Sequence, residues 1–466
     1  MINSRRLTAL ATLTVTLAAA ACHGDFLTGG DLTSNPNVPS VASSSNLLVA
    51  IEENLYLYWS GSMARIGGIY AQQLAGVARQ SGAQQVYAQD PTTTNGFHSG
   101  LYTAGALVDI QKLKKQAAVQ GDTLMLGIAQ VTEGALMGFG ADLFGDLVYS
   151  QALKGVSNPT LDPQLQVYDS VQKVLSAAIV NLTGFTAGGT NVGPAAADIT
   201  YGGSQSKWTT VAHTLKARYY MHAATVANPA AATAYANALA EAKKGIVTNA
   251  GNFNAAYSIT PGGQNRYYTF WTGRSGDVKA GPFLDSLLLA QGDTVRALNY
   301  FSHSTGPGGA LTLIDLSVAR LAPNYPQPLV TYDENTLIWS EAAYRTGDFG
   351  TALTKLNEER TNNSETPLVG LSGMPLLNAI LTEEYFADFQ VGVEAWTLYR
   401  RTCTPNLVPT TTARKIPGRL YYDSQEQQTN TNIPTAGTGI NGYYNTLTPP
   451  LSTSDGTGQR CLGQAP

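Results

Sequence analysis

Residues 335–361 read NTLIWSEAAYRTGDFGTALTKLNEERT, and the spacing of the apolar positions in this stretch decides the fold class. Leu337, Ile338, Ala342 and Ala343 recur at the steps of one helical face over 335–346, and Ala352, Leu353 and Leu356 do the same over 349–361. Gly347-Asp348 stands between them as the break. Small residues at the crossing let two helices approach closely, so the stretch predicts an antiparallel pair that buries Leu337, Ala342, Leu353 and Leu356.

The same period recurs along the chain. Over 165–182, Leu165, Tyr168, Val171, Leu175, Ile179 and Leu182 form the stripe of an amphipathic helix. Further helices are predicted around 46–59, 99–118, 122–144, 207–227, 230–245 and 376–400, divided by loops rich in Gly, Pro, Thr and Asn. Period-two runs are few and short. The expected fold class is therefore mostly α, and the 335–361 pair fits a tetratricopeptide-like hairpin or a generic αα-hairpin. Polar stretches at 183–206, 251–282, 302–335 and 402–466 interrupt the helices; loops of such length are functional, disordered or structured excursions over a scaffold.

At the N-terminus Arg5-Arg6 precede an apolar run from Leu7 to Ala21, and the polar His23-Gly24-Asp25 follow Cys22. That order is a secretory signal over residues 1–21; the remaining 22–466 is long enough for one large domain or two or three small ones and is expected to form one. Ala19-Ala20-Ala21 ending on a cysteine resembles a bacterial lipoprotein signal, which implies Cys22 as the lipidated first residue of the mature protein. Ala19 stands where such signals usually carry Leu, and an ordinary secretory signal before a chance cysteine is the alternative. No later apolar stretch of membrane length is expected, so lipid at Cys22 would be the membrane attachment.

Residues 1–21 hold two arginines and no acid, so their removal takes the formal charge from −4 to −6. No basic field for nucleic acid exists. Only 13% of residues are charged, against about 25% in ordinary soluble proteins. The polar surface is made instead of hydroxyls, amides and glycine, which suits an uncharged hydroxylated partner. Cys403 and Cys461 are the remaining cysteines. In an oxidising compartment they could close a long loop worth roughly 4 kcal/mol, and two buried thiols fit the sequence equally well.

Signals for catalysis or a cofactor are thin. His23, His98, His213, His222 and His303 include no pair at a metal-ligating spacing, and the cysteines form no CxxC. Gly306-Pro307-Gly308-Gly309 lacks the Lys-Ser/Thr of a phosphate loop, and no GxSxG elbow occurs. Asp142 and Asp146 are one helical turn apart and Gly145-Asp146 reads as a helix stop, so with Glu133 they are expected to cap and terminate a helix. No metal, cofactor or catalytic residue is expected.

The stretch 264–274, QNRYYTFWTGR, concentrates four aromatics among amides and glycine. Read as loop with no helical stripe to satisfy, it presents candidates for stacking on a ligand. Trp271, Tyr267 and Tyr268 are the expected ligand-facing rings, with Asn265, Arg266 and Arg274 as donors beside them. The rival reading has these rings pinning the segment onto the helices.

Five segments together resemble the SusD/RagB-like outer-membrane nutrient-binding lipoproteins. After Cys22, Asp25-Phe26-Leu27 is similar to the start of mature family members, and residues 139–153 (FGADLFGDLVYSQAL) resemble the family's "GDvPYSEAL". Lys207-Trp208 through Lys216-Ala217-Arg218 is similar to "KW…ANsLklR". Glu383-Glu384-Tyr385 through Glu394-Ala395-Trp396 to Arg400-Arg401 is similar to "ER…EG.RWxDL.R". Residues 416–430 resemble "iP.R..YP..E...N". Val148, Tyr385 and Asp423 depart from the family's Pro, Arg and Pro. The resemblance implies tetratricopeptide-like helical hairpins with long irregular ligand-facing loops. It further implies a surface-facing lid on a SusC-like TonB-dependent transporter in the outer membrane, with oligosaccharide as cargo and peptide in some branches. Among the motif residues, Trp208 and Trp396 lie on amphipathic stretches and are expected in the core, and Arg218, Arg400 and Glu394 in ion pairs.

Three functions fit these observations. A glycan-binding lipoprotein calls for a shallow cradle of aromatics and hydrogen-bonding groups, and is the reading adopted. A glycoside hydrolase needs two carboxylates about 5–10 Å apart in a cleft. A helical-repeat interaction scaffold leaves the aromatics of 264–274 buried or scattered, so exposure of Trp271 separates it from a binder.

Overall fold

Helices make up nearly all the regular structure of the described residues, which in this computed structural model are 42–88, 90–185, 197–226, 230–305, 311–412 and 416–433. The expected signal sequence, Cys22, Asp25-Phe26-Leu27, the 306–309 glycines and Cys461 lie outside them. In chain order the helices begin α1 (Ser44–Ser60), α2 (Ser62–Tyr70), α3 (Arg79–Gln85), α4 (Leu107–Gln120), α5 (Thr123–Phe144), α6 (Gln164–Thr183), α7 (Gln205–Val226) and α8 (Ala231–Ala242). They continue as α9 (Arg266–Gly273), α10 (Pro282–Ala290), α11 (Thr294–Tyr300), α12 (Tyr332–Arg345), α13 (Phe349–Asn362), α14 (Gly373–Ala387), α15 (Glu394–Thr402) and α16 (Ser424–Thr429). Six short strands pair antiparallel: β1 (Leu74–Gly76) with β3 (Val278–Ala280), β2 (Phe253–Ala255) with β6 (Gln327–Val330), and β4 (Phe301–Thr305) with β5 (Leu311–Leu316). The expectation of a mostly α fold holds.

The central helix α5 is apolar on every side because it is buried on every side. It is long and apolar enough to cross a membrane, contrary to the expectation of no such stretch, yet 89% of that apolar window lies inside the fold. Its glycines set how closely neighbours pack: a Cβ on Gly138 would stand 2.1 Å from the Tyr219 ring of α7, and one on Gly134 2.6 Å from Leu175 of α6. The stripe expected over 165–182 is what α6 lays against it, with Tyr168, Val171, Leu175 and Leu182 buried.

Helices α12 and α13 are the pair expected from 335–361. Thr331 and Glu334 close a capping box at the start of α12, and Asp348 caps α13 by accepting from Thr351 N at 3.0 Å. Ser340 Oγ donates to the Ala352 carbonyl at 2.7 Å, tying the hairpin across its middle. Leu337, Ala343, Ala352 and Leu356 share one buried cluster with Leu376 and Ile380 of α14, while Ala342 faces Ala238 and Ala242 of α8. Leu353 corrects the reading: it is half-buried, at the edge of a stripe whose centre Ala352 and Leu356 occupy.

Other boundaries moved for identifiable reasons. The helix expected over 99–118 starts only at Leu107, after Gly105 takes φ +77° and its N–H bonds the Asp109 carboxylate at 2.6 Å. The one expected over 376–400 is broken into α14 and α15, because Gln390 and Gly392 adopt positive φ. The polar stretches 251–282 and 302–335 hold α9, most of the short strands and the entry to α12, and α2, α3, α10 and α11 are further helices with no counterpart in the sequence reading. Short elements of this kind owe their existence to tertiary packing more than to their own periodicity.

Family-motif residues form the interior. Trp208 and Trp396 are fully buried, their indole N–H groups donating to Asp198 at 2.7 Å and to the Pro417 carbonyl at 2.9 Å. Arg218 is held bidentately by Glu334 at 2.5 and 2.6 Å and stands 3.4 Å from Glu394, confirming the expected ion pair. Arg400 donates to the Asp142 and Gly418 carbonyls at 2.7 and 2.8 Å and to the Thr397 hydroxyl at 2.6 Å. Cys403 is disulfide-bonded.

Candidate functional site

Asn265 decides the local structure of 264–274. Its side-chain oxygen accepts from the N–H groups of Tyr267 at 2.8 Å and Tyr268 at 3.2 Å, which starts a helix where a loop was expected. Its amide donates to the Tyr325 carbonyl at 3.0 Å and its backbone N–H to that of Pro323 at 2.7 Å, so a fully buried residue fastens α9 to the chain before β6.

Once helical, the segment sorts its side chains by face. Tyr267 and Trp271, one turn apart, point into the core with ring centroids 5.9 Å apart. Trp271 is only 8% exposed and donates to Asp315 at 2.6 Å; Lys279 braces the same carboxylate at 2.5 Å. Two of the rings expected to face a ligand thus pin the helix down, because a helix buries residues at i and i+4 together. Tyr268 is half-buried on a different face. Arg266, Thr269, Phe270, Gly273 and Arg274 form one wall of a cleft of about 380 Å³.

The opposite wall is Leu57, Gly61, Ser62 and Arg65, at the junction of α1 and α2. The β1–β3 pairing, Leu74 opposite Ala280 and Gly76 opposite Val278, brings the chain after α2 beside the chain after α9 and so assembles the cleft. Arg65 lies over Phe270 with its guanidinium carbon 3.9 Å from the ring centroid and donates to Ser62 Oγ at 2.9 Å. Burial of this stacked group, with the charge of Arg274 nearby, draws its pKa down to about 10. At the rim, buried Asp277 holds exposed Arg79 at 2.6 Å, with half-exposed Arg274 at 3.9 Å.

Of the expected site residues the structure puts Arg274 in the cleft, Asn265, Tyr267 and Trp271 behind it, and Tyr268 to one side; Cys22 lies outside the described residues. Leu57, Ser62, Arg65, Thr269 and Phe270 were not singled out from the sequence. Phe270 carried a signal, since it falls four positions after Arg266 on one helical face; Arg65 carried none, because its role depends on a distant segment. The candidate catalytic carboxylates have structural partners. Asp142 accepts from Tyr168 at 2.7 Å and pairs with His222, Glu133 binds Lys114, Gln111 and Tyr149, and Asp146 accepts from Gln164 N at 2.9 Å. Among the described residues no three His, Cys, Asp or Glu side chains gather in an arrangement able to hold a metal ion.

A family model for SusD-like proteins, described as starch-binding and associating with the outer membrane, matches residues 36–423. No curated protein matches. Among solved structures, a chitin-binding SusD homolog from Flavobacterium johnsoniae superposes with TM-score 0.72 at 18% identity, over 86% of this chain and 97% of its own. A SusD/RagB family protein from Bacteroides thetaiotaomicron gives 0.66 at 20% identity, over 84% and 95%. A SusD homolog from Bacteroides fragilis gives 0.70 at 18% identity, over 89% and 100%. At such identities the likeness is one of fold.

Proposed function

Because this chain belongs to the SusD-like family, we propose that it is a cell-surface nutrient-binding lipoprotein, anchored through Cys22, that takes an oligosaccharide and delivers it to a SusC-like TonB-dependent transporter. The observation that carries the reading is the cleft between α2 and α9. A sugar offers an apolar ring face and a rim of hydroxyls, and here Phe270 and Leu57 stand beside guanidinium and hydroxyl donors. The chitin-binding character of one solved relative points the same way. Arg274 contributes to the ligand face in this proposal, Asn265, Tyr267 and Trp271 act by holding α9 in place, and Tyr268 stands outside the cleft.

Burial of Trp271 is also what an interaction scaffold requires, so the test must separate the two. The mature protein is applied to an array of glycans and peptides, and Phe270→Ala is measured against any ligand retained. Binding to a glycan, weakened by about 1–3 kcal/mol in Phe270→Ala by analogy with stacking on aromatic side chains, supports the proposal. Retention of peptides alone, or a variant that binds as well as the wild type, refutes it.

A further inference from the structure

Three arginines line the α2–α9 cleft, and no aspartate or glutamate does. Arg65 has Ser62 as its hydrogen-bond partner and Phe270 as its stacking partner, with no carboxylate within ion-pair distance. Arg266 keeps its Nε buried without a hydrogen-bond partner, and its guanidinium hydrogen-bonds the Tyr257 hydroxyl but no carboxylate. Arg274 reaches only to 3.9 Å from Oδ2 of Asp277, whose other carboxylate oxygen Arg79 holds at 2.6 Å. Glu53, one turn before Leu57 on α1, is exposed, lies outside the lining and makes no ion pair among the described residues.

Five arginines elsewhere, Arg218, Arg296, Arg345, Arg360 and Arg401, are each held by at least one carboxylate, several by two, while Arg320 donates to Gln390 and Arg400 to backbone carbonyls. In a protein of net charge −4 with 13% charged residues, a cleft that collects three guanidinium groups and no acid is a local reversal of the average. Like charges held together at a partly desolvated site repel one another, and the depressed pKa of Arg65 reflects burial together with the nearby charge of Arg274. A neutral sugar would leave that repulsion in place. A carboxylate or sulfate relieves it and matches the planar fork of arginine with paired, charge-assisted hydrogen bonds.

We propose that the cleft selects oligosaccharides carrying an anionic ring substituent, a carboxylate or a sulfate, which Arg266 and Arg274 grip while Phe270 and Leu57 meet the sugar ring. This rests on the glycan-binding reading and narrows its substrate class. The whole-chain composition, which favours uncharged partners, does not describe this site.

The mature protein is titrated calorimetrically with four probes: an oligogalacturonate, its carboxyl-reduced neutral counterpart, a heparin-derived sulfated oligosaccharide and a malto-oligosaccharide. At least one acidic probe is expected to bind about tenfold or more tighter than the neutral ones, with affinity falling as salt is raised. The uronate and sulfate arms identify which anion is read. Arg266→Gln and Arg274→Gln should each lower the ratio of acidic-probe to neutral-probe affinity about tenfold while the unfolding temperature stays nearly unchanged. Neutral probes bound as tightly as acidic ones, or variants that weaken both classes alike, overturn the anionic preference while glycan binding stands. Retention of no glycan overturns both.

Discussion

His222 is a buried imidazole between two carboxylates, 2.8 Å from Asp142 and 3.1 Å from Glu394. Burial by itself disfavours its charge, but the two neighbours outweigh burial and raise its pKa from 6.5 to about 9. A pKa raised on folding contributes stability that is complete below the unfolded value and is lost as pH climbs through the folded one. The stability difference between the wild type and His222→Gln should therefore shrink between about pH 6.5 and 9, by an amount on the order of 3 kcal/mol. Urea melts of both proteins across that range measure it, and a difference independent of pH would rule out a charged His222. At the same scale, Asp423 explains itself. Where the family motif carries proline, its carboxylate accepts from the N–H groups of Gly96, His98 and Ser99 at 3.0–3.2 Å and from the Ser99 hydroxyl at 2.6 Å. The departure is thus a cap that staples the C-terminal segment to the turn at 96–99, a task that proline lacks the atoms for.

At the scale of elements, the α12–α13 hairpin divides its leucines between centre and edge. Leu356 is fully buried against α12 and α14, whereas Leu353 is half-buried. Leu356→Ala is expected to cost about 2–5 kcal/mol in denaturant unfolding. Leu353→Ala should cost roughly 1 kcal/mol, because truncating a half-exposed side chain leaves a smaller cavity and loses less burial. Equal losses would mean that the hairpin packs otherwise than described. Helix α9 shows why an aromatic segment misleads. Its apolar positions are too few for a long stripe, yet one cap at Asn265 suffices to turn Tyr267 and Trp271 inward. Trp271→Ala should consequently lower stability by about 3–5 kcal/mol, measured in the same denaturant assay. An unaltered unfolding midpoint would return Trp271 to the ligand face.

For the whole molecule, delivery to a transporter requires that the protein stay at the membrane. On the proposed anchoring, wild type should fractionate with membranes and Cys22→Ser should appear in the soluble fraction, since one acyl chain binds marginally while several together hold firmly. Wild type recovered entirely unlipidated and soluble would end that part of the proposal. Helix periods, breaks and motif tryptophans were legible from the amino-acid order alone, as were the mostly α class and the hairpin at 335–361. Each depends on which residues share a face, and that is a matter of spacing along one segment. The family's ordered motifs were legible for the same reason, being short runs whose partners Arg218, Glu394 and Trp396 form the core. Only the tertiary structure decided the cleft. Arg65 meets Phe270 because β1 pairs with β3, a contact between segments far apart in the chain that neither segment encodes locally. Which rings of 264–274 face inward likewise depended on a cap and on the neighbours waiting at Asp315 and Pro323, because a short helix takes its orientation from the surface it lands on.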